Sequence, residues 1–249
     1  MSIGNLVAGG TGKTPFLIEL LKRHPEAFVV SRGYGRKTKG VQVVSLRGEC
    51  FLDAKRAGDE PLLIAKQSPR ASVIVSENRE KGILKAIELG AKAIFLDDGF
   101  RFGYKKFDIL LRPKLEPLFD FCLPSGAYRE PKSLYAKSDI TACEGVEYIR
   151  TVTVENPTPR MVLLTAIANP SRLDAYLPDI VGKVTYKDHA LFEEEALRAI
   201  LEQHHATSLL VTQKDAIKME GFALPLSVLV LTLWIEPTIL EAVDRHLQG

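Results

Sequence analysis

Ile3-Gly4-Asn5-Leu6-Val7-Ala8-Gly9-Gly10-Thr11-Gly12-Lys13-Thr14-Pro15-Phe16-Leu17 runs from a short apolar stretch through a glycine-rich turn into a helical pattern that continues at Leu20-Leu21. Glycines in that position let the backbone curl so that several N–H groups point inward at phosphate oxygens, and the helix N-terminus adds its dipole. Gly9, Gly10, Thr11, Gly12, Lys13 and Thr14 are therefore the candidate nucleotide-binding residues. Lys13 would reach the terminal phosphates and the Thr14 hydroxyl would bind magnesium. The strict pattern G-x-x-x-x-G-K-[ST] asks for glycine where this chain has Val7, so the closer template is the double-glycine form, Gly9-Gly10-x-Gly12-Lys13-Thr14. A plain glycine-rich turn before a helix is the competing reading. The flanking strand together with Lys13 and Thr14 favours the phosphate loop.

Outward from that loop, strands and helices alternate. Phe28-Val29-Val30, Val41 to Leu46, Val73-Ile74-Val75 and Ala93 to Leu96 read as strands, with helices over Asp59 to Lys66 and Arg79 to Leu89. This rhythm predicts an α/β fold of the P-loop NTPase kind, a mainly parallel sheet flanked by helices. Leu115 to Pro131, with three prolines, reads as an irregular loop, and Tyr148 to Pro159 as a strand and linker. The alternation resumes at Met161: strands at Val162 to Ala166, Val181 to Tyr186, Leu209 to Val211 and Ser227 to Leu233, and helices after Pro170 and over Phe192 to Gln203, Asp215 to Met219 and Pro237 to Leu247. The expected division is a nucleotide-binding core over 1–150 and a smaller C-terminal α/β portion over 151–249.

Composition narrows the class. A chain of 249 residues with 26% charged and 46% hydrophobic residues buries a sizeable core and is not disordered. A net charge of +2 gives no general argument for nucleic-acid binding. Cys50, Cys122 and Cys143 have neither the spacing of a zinc site nor that of a disulfide framework, which fits a reducing cytoplasm. No apolar stretch approaches the roughly 18 residues of a membrane-spanning helix.

Two carboxylate groups stand beside the loop in the argument. Asp97-Asp98 ends an apolar strand, where open parallel sheets bind ligands, and a carboxylate there can hold magnesium together with Thr14. Alone, Asp97-Asp98-Gly99 is a turn signal. Gly58-Asp59-Glu60-Pro61 starts a helix; capping and dipole neutralisation explain it as well as proton abstraction and magnesium binding do. Among the histidines, His189 lies in a loop just past a strand, where α/β proteins collect catalytic groups.

The ordered set Ser2-Ile3-Gly4-Asn5, Gly9 to Pro15, Ser31-Arg32-Gly33-Tyr34, Gly58 to Pro61, Arg79 and Asp97-Asp98-Gly99 resembles the tetraacyldisaccharide 4'-kinases of Gram-negative bacteria. The set continues through Leu123-Pro124-x-Gly126-x-x-Arg129-Glu130-Pro131, Ala168-Asn169-Pro170, Asp188-His189 and Thr212-x-Lys214-Asp215-Ala216, spanning nearly the whole chain. The resemblance implies transfer of the ATP γ-phosphate to the 4'-hydroxyl of a tetraacylated glucosamine disaccharide 1-phosphate, in lipid A synthesis at the cytoplasmic face of the inner membrane. It implies Asp59 as catalytic base with His189 as its partner, and Thr14, Glu60 and Asp97, with the adjacent Asp98, at the Mg2+ positions. Lys13 and Arg79 match the cations that neutralise phosphate charge during transfer. Arg32, Arg101 and Arg129 are assigned to the acceptor side.

Two departures from the family pattern stand out. Phe100-Arg101-Phe102 replaces a bulky residue followed by glutamine and histidine, and only Met1 precedes the first strand where family members carry a hydrophobic helix. Either the recorded start lies too late, the chain is truncated, or this form docks peripherally on the membrane surface; Phe119, Phe121, Leu123 and Tyr128 with the basic loops around Arg36 and Lys105 could supply that contact, though packing beneath the irregular loop is the preferred reading of the aromatics. The alternative activities are a nucleotide-dependent switch or assembly ATPase, which typically carries a lysine where this chain has Ala8, and a soluble small-molecule kinase.

Overall fold

The computed structural model describes residues 1–248. The chain divides into two compact units, one formed by Met1–Arg150 together with the stretch from Thr232 onward, the other by Thr151–Leu231. The last helix thus belongs with the N-terminal sheet and not, as the sequence rhythm suggests, with the C-terminal portion.

In the first unit, β1 (Ser2–Asn5) leads into α1 (Lys13–Arg23), then β2 (Phe28–Ser31), β3 (Gln42–Leu46), β4 (Glu49–Cys50), α2 (Ala54–Ala57) and α3 (Asp59–Gln67). There follow β5 (Ser72–Val75), α4 (Arg79–Glu88), β6 (Ile94–Asp97), β7 (Asp108–Arg112) and β8 (Ile140–Cys143), with β9 (Tyr148–Glu155) crossing into the second unit. The sheet runs β4-β3-β5-β2-β6-β1-β7-β8. Every neighbouring pair from β5 to β8 is parallel, while β3 and β4 add an antiparallel edge. β1, β2 and β5 are buried at every position, as strands covered by helices must be. Phe16, Leu17, Leu20 and Leu21 give α1 a buried stripe at helical spacing, and Lys22 and Arg23 in its last turn suit the helix dipole. The α4 helix starts at Asn78, whose side chain accepts from the Lys81 N–H at 3.1 Å, and packs Ala86 against Phe28, Val30, Ile74 and Leu96.

The second unit continues with β10 (Met161–Thr165), β11 (Ile180–Thr185), α5 (Glu194–Gln203), β12 (Ser208–Thr212), α6 (Gln213–Ala216) and β13 (Leu226–Ile235). Its sheet runs β11-β10-β12-β13-β9, and the pairs β11/β10, β10/β12 and β12/β13 are parallel. The expected helix after Pro170 is a 3-10 segment, Pro170–Tyr176, and that over Asp215 to Met219 is divided between α6 and a 3-10 turn, Ile217–Met219. In the first unit α7 (Pro237–Gln248) completes the chain's elements, with Asp244 ion-paired to Arg23 and, at 2.9 Å, to His24 at the end of α1.

Candidate active site

The carboxyl ends of β1, β2 and β6 converge on the glycine loop. Val7 fits the core, not the loop: it is 4% exposed and bridges Tyr128 in antiparallel fashion, so the bend begins only at Gly9, where φ is +109°. Gly12 caps α1 with φ +85°, and a Cβ there would stand 3.1 Å from the Arg150 guanidinium, so glycine meets both the conformation and the close approach. Tyr148 braces the loop by donating its hydroxyl to the Thr11 carbonyl at 2.8 Å while its ring stands edge-on to Phe16. The Thr11 Oγ1 is buried with no hydrogen-bond partner, an unsatisfied polar atom where a phosphate loop needs a donor.

Lys13 Nζ donates to Asn5 Oδ1 at 2.8 Å and lies 3.9 Å from Asp98 Oδ1. Asp98 adopts a left-handed backbone, φ +54°, and Arg129 Nη2 donates to both of its carboxylate oxygens, at 2.9 and 2.8 Å. Burial works to raise the Asp98 pKa, but Lys13 and Arg129 outweigh it and hold the carboxyl below its usual range. Asp98 is thus the centre of an ion-pair cluster, and Arg129, assigned from sequence to the acceptor side, serves in this structure to fix it.

Asp97 is the opposite case. Only 5% exposed, it accepts from the Ser31 hydroxyl at 2.8 Å. Burial, followed by the negative charge of Glu60, pushes its pKa up to about 6, against the pull of Lys13 and Ser31. Asp97, Glu60 and Lys13 therefore share one electrostatic neighbourhood. Asp59 and Glu60 form the first turn of α3 behind Gly58, and Asp59 is buried. Gly58 has φ +89°, and a Cβ on it would meet the Tyr34 carbonyl at 2.9 Å, which ties the Asp59 turn to the loop after β2.

Arg79 is 4% exposed and donates to the Ser76 carbonyl at 2.7 Å and the Asp97 carbonyl at 3.1 Å, with its guanidinium 5.5 Å from the Phe102 ring centroid. Burial lowers its pKa against the opposing charges of Asp97 and Asp98. Arg32 is exposed in the loop after β2, and Arg101 pairs with Glu130 at 3.0 Å.

His189 lies in the second unit, in the turn after β11. Its backbone is left-handed, φ +61°, its N–H donates to the Ala166 carbonyl at 3.2 Å, and its Nε2 is 3.5 Å from Asp188. Nearby, Asp215 and Lys218 form an ion pair at 2.9 Å whose side chains are wholly buried. Asp215 also accepts from the Thr165 and Thr212 hydroxyls at 2.8 Å, and Lys218 donates to the Ala190 carbonyl at 3.2 Å. The Thr212 to Ala216 and Asp188-His189 motifs meet in this corner.

Asn5, Ser31 and Tyr148 were missed as site residues. Asn5 and Ser31 belong to the Ser2-Ile3-Gly4-Asn5 and Ser31-Arg32-Gly33-Tyr34 motifs, but only the folded chain brings them to Lys13 and Asp97. Tyr128 is fully buried with its hydroxyl donated to Glu116, as the packing reading has it, while Phe119, Phe121 and Leu123 are exposed; the Arg36 side chain, expected in a solvated loop, is 2% exposed and pairs with Glu77 at 2.7 Å.

Magnesium fits the donor set, in that a hydroxyl at Thr14 and carboxylates at Asp97 and Glu60 are hard oxygen donors, and the Glu60 charge that adds to burial in raising the Asp97 pKa is one that a cation offsets. Among the described residues no group of three or more histidine, cysteine, aspartate or glutamate side chains is placed to hold a metal ion by itself.

The model of one family, LpxK, tetraacyldisaccharide-1-P 4'-kinase, matches residues 1–248. The chain belongs to this family. A tetraacyldisaccharide 4'-kinase of Helicobacter pylori (strain HPAG1) is 53% identical over 99% of this chain and 80% of its own length. That of Aliarcobacter butzleri is 46% identical over 90% and 74%, and that of Campylobacter jejuni (strain RM1221) 40% identical over 100% and 80%. A crystal structure described as the "apo" form of LpxK from Aquifex aeolicus in complex with ATP superposes with a TM-score of 0.79, at 27% identity, covering 98% of this chain and 87% of the other. As a member of the tetraacyldisaccharide 4'-kinases, the chain is a lipid-disaccharide kinase of P-loop α/β fold, and neither the switch ATPase nor the soluble kinase reading is favoured.

Proposed function

We propose that the chain transfers the γ-phosphate of ATP to the 4'-hydroxyl of a tetraacylated disaccharide 1-phosphate, with Asp59 as base and Lys13 as the cation on the transferring phosphate. One observation carries this reading: Lys13 stands at the head of a glycine loop, between Asn5 and Asp98, in the electrostatic field of Asp97 and Glu60. The loop N–H groups and Lys13 bind the triphosphate; Asp59, buried at a helix N-terminus, is held in place to take the proton of the attacking hydroxyl. Thr14, Asp97 and Glu60 would hold magnesium, which when bound neutralises charge on the terminal phosphates. Asp98 and Arg129 set the position of Lys13. Arg79, with two backbone acceptors, fixes the end of β6 and lends positive charge. Arg32 and Arg101 face the acceptor's anionic groups, and the family resemblance gives His189 an assisting role.

Membrane contact in this reading includes the loop after β7. Among the described residues no helix is long and apolar enough to cross a membrane. The loop after β7 exposes Leu115, Leu118, Phe119, Phe121 and Leu123, between 56% and 88% each, and Lys105 is exposed as well. An apolar cluster of that kind suits insertion among headgroups at the cytoplasmic face of the inner membrane. The test is a kinase assay with ATP and the acylated disaccharide 1-phosphate, locating the new phosphate on the sugar. ATP consumption that does not depend on the lipid, or a phosphate elsewhere than the 4'-position, overturns the assignment. Cosedimentation with anionic vesicles, lost in Phe119→Glu with Leu118→Glu, tests the docking loop.

A further inference from the structure

Asn5 ends β1 and is 3% exposed. Its Nδ2 donates to the Val7 carbonyl at 2.8 Å and the Gly9 carbonyl at 3.3 Å, and its Oδ1 accepts from Lys13 Nζ at 2.8 Å. One side chain thus ties together the entry of the phosphate loop, its first glycine bend and its lysine. We infer that Asn5 is a positioning residue of the phosphoryl transfer, one that shapes the phosphate loop and holds the Lys13 ammonium on a neutral acceptor from which a triphosphate can draw it. The inference rests on the reading of Lys13 as the phosphate-binding lysine.

The chemistry of the amide explains why this residue type stands here. Asparagine offers one oxygen acceptor and an NH2 with two donors on a short stem, and all three are used. Aspartate matches the shape but only accepts, so it would face the Val7 and Gly9 carbonyls without a proton to give them. It would also turn the ammonium–amide hydrogen bond into a full ion pair, adding the attraction of a carboxylate charge for Lys13. An incoming triphosphate would then compete with a carboxylate for the lysine. The neutral amide keeps the ammonium in place at low cost of release, while Asp98, at 3.9 Å, supplies a weaker second anchor.

The experiment measures ATP and AMP binding by calorimetry, and the KM and kcat for ATP, in the native chain, Asn5→Ala, Asn5→Asp, Lys13→Ala and Asn5→Ala with Lys13→Ala, with a thermal melt confirming that each is folded. Asn5→Ala is expected to weaken ATP about tenfold and AMP less than twofold, because Lys13 reaches only the terminal phosphates. On the Lys13→Ala background the same change is expected to cost less than about threefold, since residues acting through one another are non-additive. Asn5→Asp, nearly isosteric, is expected to bind ATP more weakly than Asn5→Ala and to lower kcat while the KM for the lipid acceptor stays as it was. Additive losses, equal losses for ATP and AMP, or native ATP affinity in Asn5→Asp overturn the positioning role. If Lys13→Ala itself leaves ATP binding unchanged, the lysine reading fails first and the inference falls with it.

Discussion

Replacing Asp97 by asparagine is expected to stabilise the nucleotide-free protein while removing its kinase activity. The carboxyl is pushed from an ordinary 3.8 up to about 6 by burial and by Glu60, so ionising it in the folded chain is uphill. Between those two values the folded state holds a proton that the unfolded state has lost. Stability therefore falls as pH rises through this window, and the penalty is complete above about pH 6. At roughly 1.4 kcal/mol per pH unit, the gap sets a ceiling of about 3 kcal/mol. Asparagine keeps the shape and an oxygen for the Ser31 hydroxyl but carries no charge, so it escapes that cost. Urea denaturation of both proteins from pH 4 to 8.5, without nucleotide or magnesium, measures the difference. The curves should nearly meet near pH 4 and separate by 2–3 kcal/mol, order of magnitude, above pH 6.5, with the variant more stable. Magnesium with ATP should then restore stability in the native protein far more than in the variant. Parallel pH curves, or a variant less stable than the native chain at pH 8, would refute the reasoning.

Lys13→Ala should abolish turnover with little change in the unfolding midpoint, as the side chain is part-exposed at the loop; retained kcat in a lipid-kinase assay would remove it from the phosphate site. Asp59→Ala should cut kcat by orders of magnitude with ATP affinity kept, and His189→Ala should act in the same direction less severely; a double-mutant cycle with full additivity would separate the two residues functionally. Asp215→Ala leaves the buried Lys218 ammonium without its carboxylate and should cost about 3–5 kcal/mol in denaturant unfolding, a loss that adding Lys218→Met partly recovers.

The glycine turn between β1 and α1 was legible because its signal is local: glycine, lysine and threonine at fixed spacing between a strand and a helix. The place of Asp97 at a strand end was legible for a similar reason, since it follows Ile94-Phe95-Leu96. The strand Asp108–Arg112 was not, since three apolar residues between an aspartate and an arginine carry too short a pattern, and its place beside β1 is a long-range pairing. The same limit hid Asn5, whose bonds to Gly9 and Lys13 exist only once the loop has curled back over the end of β1. Arg36 looked like a surface residue by type. Its ion pair with Glu77, like the bridge of Tyr128 to Val7, joins residues distant in sequence, and no local signal announces either.

The route of the chain gives the α7 contact on α1 a meaning in time. Residues 151–231 form a unit of their own, inserted between the parts of the first. During synthesis the phosphate loop and α1 leave the ribosome early, but Asp244, which receives Arg23 and His24 at the far end of that helix, follows more than two hundred residues later. The nucleotide half therefore waits, incompletely clamped, while an entire second unit is made. At about 5–20 residues per second that wait lasts on the order of ten seconds or more, the interval in which a nascent chain of this kind most needs protection from aggregation.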